Sequence, residues 1–393
     1  MRRWRVFFRT WVVASSLLFG LLSLGLTGCD DDSSSVLPAP DDELELALQT
    51  AVDSVLAVLE LPGAAAMVVQ PGEDGAEYEI ASGFMVVDSF PTEDEWSGTP
   101  MDPSAFTRIG SVSKSFTAVL ILHIAEQGLL ELDTPVTAYL PDCPLPNADH
   151  VTVRHLLQMR SGWPEYLASD EFQSTWPPVE YSFDSIIALA ASMGPALFAP
   201  GEQWMYCNTN YAVLGKIAEE VMGQRYGVLM RDYVLTPAGL TDTYSASHDG
   251  SMPSPYLHGY APPGVIDAEW VETTDVAPDY VLASGNLVST LADLQTWLSV
   301  IRDGGLLSAE SMDQLWDTVP TGVNGFEYGM GVVDSPLGFG HNGSIVGYQT
   351  ALYEWNGWRI AVMVNGNTRL DDPEHGVSAD AVVEAIEAVL AEY

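Results

Sequence analysis

The stretch RIGSVSKSFTA, residues 108–118, sets Ser111 three residues before Lys114, at a point where a polar loop gives way to an apolar run. On a helix, residues three apart share a face with Cβ atoms about 5–6 Å apart. A serine at a helix start lies among unpaired backbone N–H groups and at the positive end of the helix dipole. A lysine buried there has a lowered pKa, because desolvation and positive potential both disfavour the ammonium. The neutral amine can take or relay the serine proton, which makes the serine a nucleophile. The chain has only one other lysine, Lys216. The same spacing also suits a helix-capping serine and a surface lysine, so the rest of the chain must decide.

The elements around this pair fall into a pattern. Residues 42–60 have helical periodicity, with Asp41 or Asp42 at the start and Pro62-Gly63 beyond the end. Strand-like runs follow at 64–70 and 76–87, and a helix is expected from 111 to about 128. The span 150–240 reads as mostly helical, most clearly at 151–159, 182–193 and 209–223, and is followed by a loop-rich stretch, 241–282. A helix at 293–305 precedes strands at 328–334, 346–355 and 358–365, the last two joined by an Asn356-Gly357 turn, and a final helix covers 377–393. Strands at both ends and helices between them predict an α+β fold: an antiparallel sheet built from both chain ends and flanked by helices, with a mainly helical insertion and a cleft between the two parts. The sheet part is expected at about 42–110 and 283–393, the helical part at about 111–282.

Further segments bear on the pair. FTRIGSVSKSFTA resembles the nucleophile motif of the serine β-lactamase and D-alanyl-D-alanine carboxypeptidase superfamily, and in particular its class C and esterase branch. VTVRHLLQMRSGWPEY, APGEQWMYCNTNYAVLG and ASGNLVSTLADLQTWL are similar to later stretches of that branch. The second contains a Tyr-x-Asn motif, Tyr206-Cys207-Asn208. GFGHNGSIVGY resembles the third motif, with His341-Asn342-Gly343 where many members have Lys-Thr-Gly. The resemblance covers roughly residues 45 to 390 and implies a β-lactamase/transpeptidase-like fold.

It also implies roles. Ser111 would be the acylated nucleophile and Lys114 its proton partner. Tyr206, as a phenolate or through a relay, would exchange protons with Ser111, the leaving group and the deacylating water. Asn208 would hydrogen-bond Lys114 and a substrate amide. His341 would place a carboxylate or polarise Tyr206, and Gly343 would let substrate approach the strand edge. The backbone N–H groups of Ser111 and Ser344 would form an oxyanion hole. Arg160 is a candidate carboxylate-binding side chain. The expected activity is acyl-enzyme hydrolysis of a D-amino-acid peptide, ester or related amide. The alternatives are a class C-like β-lactamase and a catalytically silent sensor of wall fragments or β-lactams.

The first 29 residues read as a targeting segment. Arg2, Arg3, Arg5 and Arg9 precede an apolar run that ends in Leu26-Thr27-Gly28-Cys29, which resembles a bacterial lipoprotein signal with Cys29 as the lipidated residue. An uncleaved anchor helix is the other reading, and both put the rest of the chain outside the cytoplasmic membrane. Residues 30–41 read as a flexible tether, leaving 42–393 as the hydrolase domain. Asp30 fits a pattern of inner-membrane retention.

Composition narrows the partners. The chain carries 14 basic and 54 acidic residues, net −40, and the part after Cys29 is at −44. Such a surface repels nucleic acid and anionic lipid, so the expected partner is a small-molecule or peptide substrate, with membrane contact through the lipid anchor alone. GFGHNG satisfies G-x-G-x-x-G, but a strand-like run follows where a dinucleotide site needs a helix. The seven histidines show no metal-ligand spacing, so no metal or other cofactor is expected. Cys143 and Cys207 are left open as a disulfide or as free thiols.

Overall fold

The computed structural model describes residues 41–72, 75–90, 96–175, 180–246, 250–367 and 377–393. The leader, Cys29 and most of the tether lie outside the described residues.

Helix α1, Asp42–Leu59, buries Leu44, Leu48, Val52, Leu56 and Leu59, a spacing that puts them on one face. Its start is capped by the Asp41 side chain, which accepts from the Glu43 amide. Strands β1 (Gly63–Val69), β2 (Glu77–Ser89) and β3 (Ser97–Pro100) follow. The middle of the chain contains helices α2 (Ser113–Glu126), α3 (Phe183–Ser192), α4 (Asn208–Met222) and α5 (Leu291–Asp303). The end returns to strands β4 (Val319–Pro320), β5 (Glu327–Tyr328), β6 (Val333–Ser335), β7 (Gly338–Ile345), β8 (Tyr348–Trp355) and β9 (Trp358–Val364), and then to helix α6, Ser378–Leu390.

These strands make one nine-stranded sheet in the order β3-β2-β1-β9-β8-β7-β6-β5-β4. Every pairing is antiparallel, and β1 lies directly against β9, so both chain ends meet at its centre. The expected α+β architecture is therefore present. Side chains along β1 alternate between two cores. Ala64, Ala66 and Val68 join α1 and α6 on one face, whereas Ala65, Met67 and Val69 join α5 and the helical part on the other. On that second face Phe116 of α2 stacks on Trp297 of α5, with ring centroids 3.8 Å apart. The site therefore sits on the α2 side of the sheet.

The β8–β9 hairpin turns at Asn356 (φ 50°) and Gly357 (φ 87°), the left-handed pair that this turn requires. Three expectations need correction. The strand expected at 346–355 begins at Tyr348; a turn at Val346-Gly347 separates it from β7, which carries the HNG motif. Three glycines in β7 hide its pleat from the apolar pattern. The strand expected at 328–334 divides into β5 and β6, because Gly331 (φ +75°) turns close to the Lys114 carbonyl. The helix expected at 151–159 is only Val153–Leu157, ending before Met159, whose φ of 59° is left-handed.

Candidate active site

Ser111 lies in a single 3-10 turn, Gly110–Val112, that feeds directly into α2. The short strand Thr107–Arg108 pairs with Leu287–Ser289, and the Ile109 amide donates to the Leu287 carbonyl at 3.1 Å. The turn is thus held from the side before it is held from below. Its Ser111 N–H, at a helix start, has no intrahelical acceptor.

Lys114 is fully buried. Its Nζ donates to Ser111 Oγ at 2.9 Å and to the Ser284 carbonyl at 2.7 Å. It also lies over the rings of Tyr206 and Tyr211, 4.9 and 5.6 Å from their centroids. Burial pushes its pKa from 10.5 down to about 7, against the opposing pull of Glu165 and Cys207. An amine poised there is neutral often enough near pH 7 to accept a proton from Ser111.

Tyr206 sits beside this pair. Burial holds its phenol well above 10, with the Ser111 hydroxyl pulling the other way through a hydrogen bond. It is therefore a neutral phenol, and of the two expected forms only the relay fits. His341, on β7, is also buried. Its Nε2 lies 3.3 Å from the Tyr328 hydroxyl, and its ring centroid is 6.4 Å from that of Tyr206. Burial first, and then the Lys114 charge, lower its pKa to about 3. A neutral imidazole does not attract a carboxylate by charge, so only the expected part near Tyr206 suits it.

Gly343 and Gly110 work as a pair. A Cβ on Gly343 would stand 2.0 Å from the Ile109 carbonyl oxygen and 2.9 Å from the Ser111 nitrogen. One on Gly110 (φ +50°) would stand 2.8 Å from the Ser344 nitrogen. The two glycines let the nucleophile turn press against β7, with the Ser111 nitrogen beside Gly343 and the Ser344 nitrogen beside Gly110. The close neighbour of Gly343 is thus the protein's own backbone, where sequence reasoning expected substrate.

Other expectations change as well. Asn208 opens α4, and its Nδ2 donates to Glu165 Oε2 at 3.1 Å, as does its amide at 2.5 Å; the Lys114 hydrogen bonds go to Ser111 and Ser284 instead. Arg160 donates to the Gly201 carbonyl, which ties it to that loop. Cys143 and Cys207 are free thiols, and Cys207 Sγ reaches the Trp163 and Pro164 carbonyls at 3.4 and 3.5 Å.

Glu165 was missed by sequence reasoning. It accepts the two Asn208 donors and the Leu167 amide, and its carboxyl pKa is raised by burial while Lys114 pulls it down. The signal was a lone acid in the WPEY run between otherwise apolar residues. The assembled set can carry acyl transfer: a serine next to a near-neutral amine, a phenol to relay protons, and the Ser111 and Ser344 backbones close together.

Comparison with known proteins gives the same family. The model of the Beta-lactamase family matches residues 48–384. A penicillin-binding protein of Bacillus subtilis (strain 168) is 28% identical over 308 residues, covering 74% of this chain and 66% of that protein, just under two thirds of its length. An esterase of Burkholderia gladioli is 28% identical over 343 residues, covering 75% of this chain and 81% of the esterase. Among solved structures, a D-stereospecific amidohydrolase from Streptomyces superposes with a TM-score of 0.74 at 25% identity, covering 88% of this chain and 98% of that one.

Proposed function

We propose that this chain, which belongs to the beta-lactamase family, is a serine hydrolase that forms an acyl-enzyme on Ser111 from an amide or ester of a D-amino acid or D-peptide. The observation that carries the reading is Lys114 Nζ at 2.9 Å from Ser111 Oγ, in a setting that lowers the amine to about 7. Lys114 removes the Ser111 proton as Oγ attacks the carbonyl carbon. The developing oxyanion is held by the Ser111 and Ser344 amides, each worth about 3 kcal/mol in comparable sites. Tyr206 gives its phenolic proton to the departing amine or alcohol and takes in its place the proton that Lys114 removed from Ser111, which resets both groups to activate water for deacylation.

The substrate class follows from charge. His341, neutral in the free site, offers no positive charge to a carboxylate. Glu165 adds acceptor oxygens near Lys114 and Asn208, so the site suits a substrate amine better than a terminal carboxylate. An esterase and a D-stereospecific amidohydrolase are among the relatives, beside a penicillin-binding protein. The charge pattern favours amide or ester hydrolysis over carboxypeptidase or β-lactamase action.

The deciding experiment is the intact mass of the protein after exposure to a fluorophosphonate, beside Ser111→Ala. One adduct on Ser111, absent from the variant, supports the reading; folded wild-type protein that takes no adduct refutes it and returns the weight to a silent sensor. The leader further suggests lipid attachment at Cys29 and an extracytoplasmic site. Release of the protein from the membrane fraction by Cys29→Ala would support that anchoring, and unchanged fractionation would refute it.

A further inference from the structure

The buried Arg108 is not used by the chemistry above. It is three residues before Ser111 and only 1% exposed. Its hydrogen-bond acceptors are all backbone carbonyls of one segment: Val276, which accepts from Nη1, and Gly250 (3.1 Å) and Thr274 (2.8 Å), which accept from Nη2. Its guanidinium carbon lies 5.3 Å from the centroid of the Tyr348 ring, and the Tyr348 hydroxyl in turn donates to the Leu257 carbonyl at 3.1 Å. The positive charge also lowers the phenol pKa of Tyr280, on the same segment, although burial wins and leaves it at about 12. A full charge is costly to bury among neutral partners; here it gathers three carbonyls that would otherwise be buried without donors.

The segment it gathers meets the surroundings of the site at its middle and at its far end. From Gly250 the chain runs to Gly259 and Tyr260, whose amide donates to the Gly347 carbonyl at 3.3 Å in the turn just after Ser344-Ile345. Thr273 Oγ1 donates to the Val346 carbonyl at 3.4 Å in that same turn. The chain then passes Arg108 again at Thr274 and Val276, and reaches Ser284, whose carbonyl accepts from Lys114. Residues 250–284 have little regular structure of their own, with one two-residue ladder, Tyr260–Ala261 with Val271–Glu272. Their placement therefore depends on what ties them to the nucleophile strand.

We propose that Arg108 is a positioning residue that fixes segment 250–284 as the acyl-side wall of the site and so sets which acyl groups reach Ser111, an inference that rests on the serine-hydrolase reading above. Lysine at 108 keeps the charge but has one nitrogen, so it cannot hold three separated carbonyls in the plane of a guanidinium. On the segment's side, a Cβ at Gly250 would stand 2.9 Å from Arg108 Nη2 and would disturb the same joint.

The test uses the protein with D-alanine and D-phenylalanine p-nitroanilides, which share a leaving group and differ only in the acyl part. Arg108→Lys and Gly250→Ala are compared with wild type by the ratio of the two kcat/KM values, with circular dichroism to establish folding. The expected result is a change of at least fivefold in that ratio in both variants, in the same direction. An unchanged ratio in a folded variant of either kind overturns the proposal, even if both rates fall together, since a merely structural arginine would lower them equally. If Arg108→Lys does not fold, Gly250→Ala alone decides. Fluorophosphonate labelling of wild type on Ser111, together with an unchanged ratio, would sink the wall and leave the hydrolase reading standing; absence of labelling would sink both.

Discussion

Replacing Lys114 with methionine should make the protein more stable while abolishing activity. The lysine sits at a pKa of about 7 in the folded chain and 10.5 when unfolded, with burial as the main cause. Between these values the unfolded state binds the extra proton, so the lysine's contribution to stability climbs as pH rises from 7 to 10.5 and is least favourable below 7. A difference of 3.5 pKa units at about 1.36 kcal/mol each sets the penalty near 5 kcal/mol below pH 7, falling to about zero above pH 10.5. Methionine removes that penalty but forfeits the bonds to Ser111 Oγ and the Ser284 carbonyl, worth about 1 kcal/mol each. The net gain expected at pH 6 is about 2–3 kcal/mol. Urea denaturation of wild type and Lys114→Met at pH 6, 8 and 10 measures it. A variant no more stable than wild type at pH 6, or a difference that does not shrink by pH 10, would refute a desolvated amine at this position.

Three further outcomes follow from the same geometry. If neutral Lys114 is the base, kcat/KM should rise about tenfold from pH 6 to a plateau near pH 8, and Glu165→Gln, which removes the carboxylate that raises the lysine pKa, should move the acid limb to lower pH; a limb that stays in place would dissociate Glu165 from Lys114. Gly343→Ala should slow acylation about a hundredfold or more and cost about 1–3 kcal/mol of stability, because its Cβ would overlap the Ile109 carbonyl; near-normal labelling by a fluorophosphonate would contradict the paired-amide geometry. On the far face of β7, Asp380 is raised to about 7 and Glu387 to about 8, both by burial and neighbouring acids, with Asn342 Nδ2 donating to Asp380 at 2.5 Å. These raised acids bind protons in the folded state, so their own contribution to stability should fall as pH rises from about 4 to 8, opposite in sign to that of Lys114 above pH 7; Asp380→Asn should gain up to about 4 kcal/mol at pH 8 and nothing at pH 4, and equal slopes in the two urea series would count against the buried acid.

How much of this was legible in the sequence depends on whether the signal was local. The Ser111–Lys114 spacing is local, and the chain's only other lysine, Lys216, is spent on Asp184 and Glu220 in a surface ion-pair network. The hairpin at Asn356-Gly357 is local as well, since two left-handed residues name their own turn. Helices with a regular apolar stripe, such as α1 and α5, were read to within a few residues. The strand β7 was not, because Gly338, Gly340 and Gly343 each lie where a Cβ would strike a neighbouring backbone. The same substitutions that suit that crowding erase the alternation by which a strand is recognised.

Apart from the lowered Lys114 pKa expected from its place at the head of an apolar run, the protonation states were the part beyond reach. Sequence places Lys114, Tyr206, Glu165 and His341 at four distant points, and nothing in their own neighbourhoods fixes how deeply each is buried. Burial turns out to decide all four. It lowers the lysine to about 7 and the histidine to about 3, lifts the phenol far from phenolate, and raises the carboxyl. Each shift is toward the neutral form, as desolvation requires. The site keeps one amine whose charge is nearly balanced, lowered by burial and drawn up by the Glu165 carboxylate. That single near-degenerate proton, 2.9 Å from Ser111 Oγ, is what can be moved at little cost during acyl transfer. The substrate is then chosen by the shape of the walls more than by ion pairing, which is why the fastening of segment 250–284 matters.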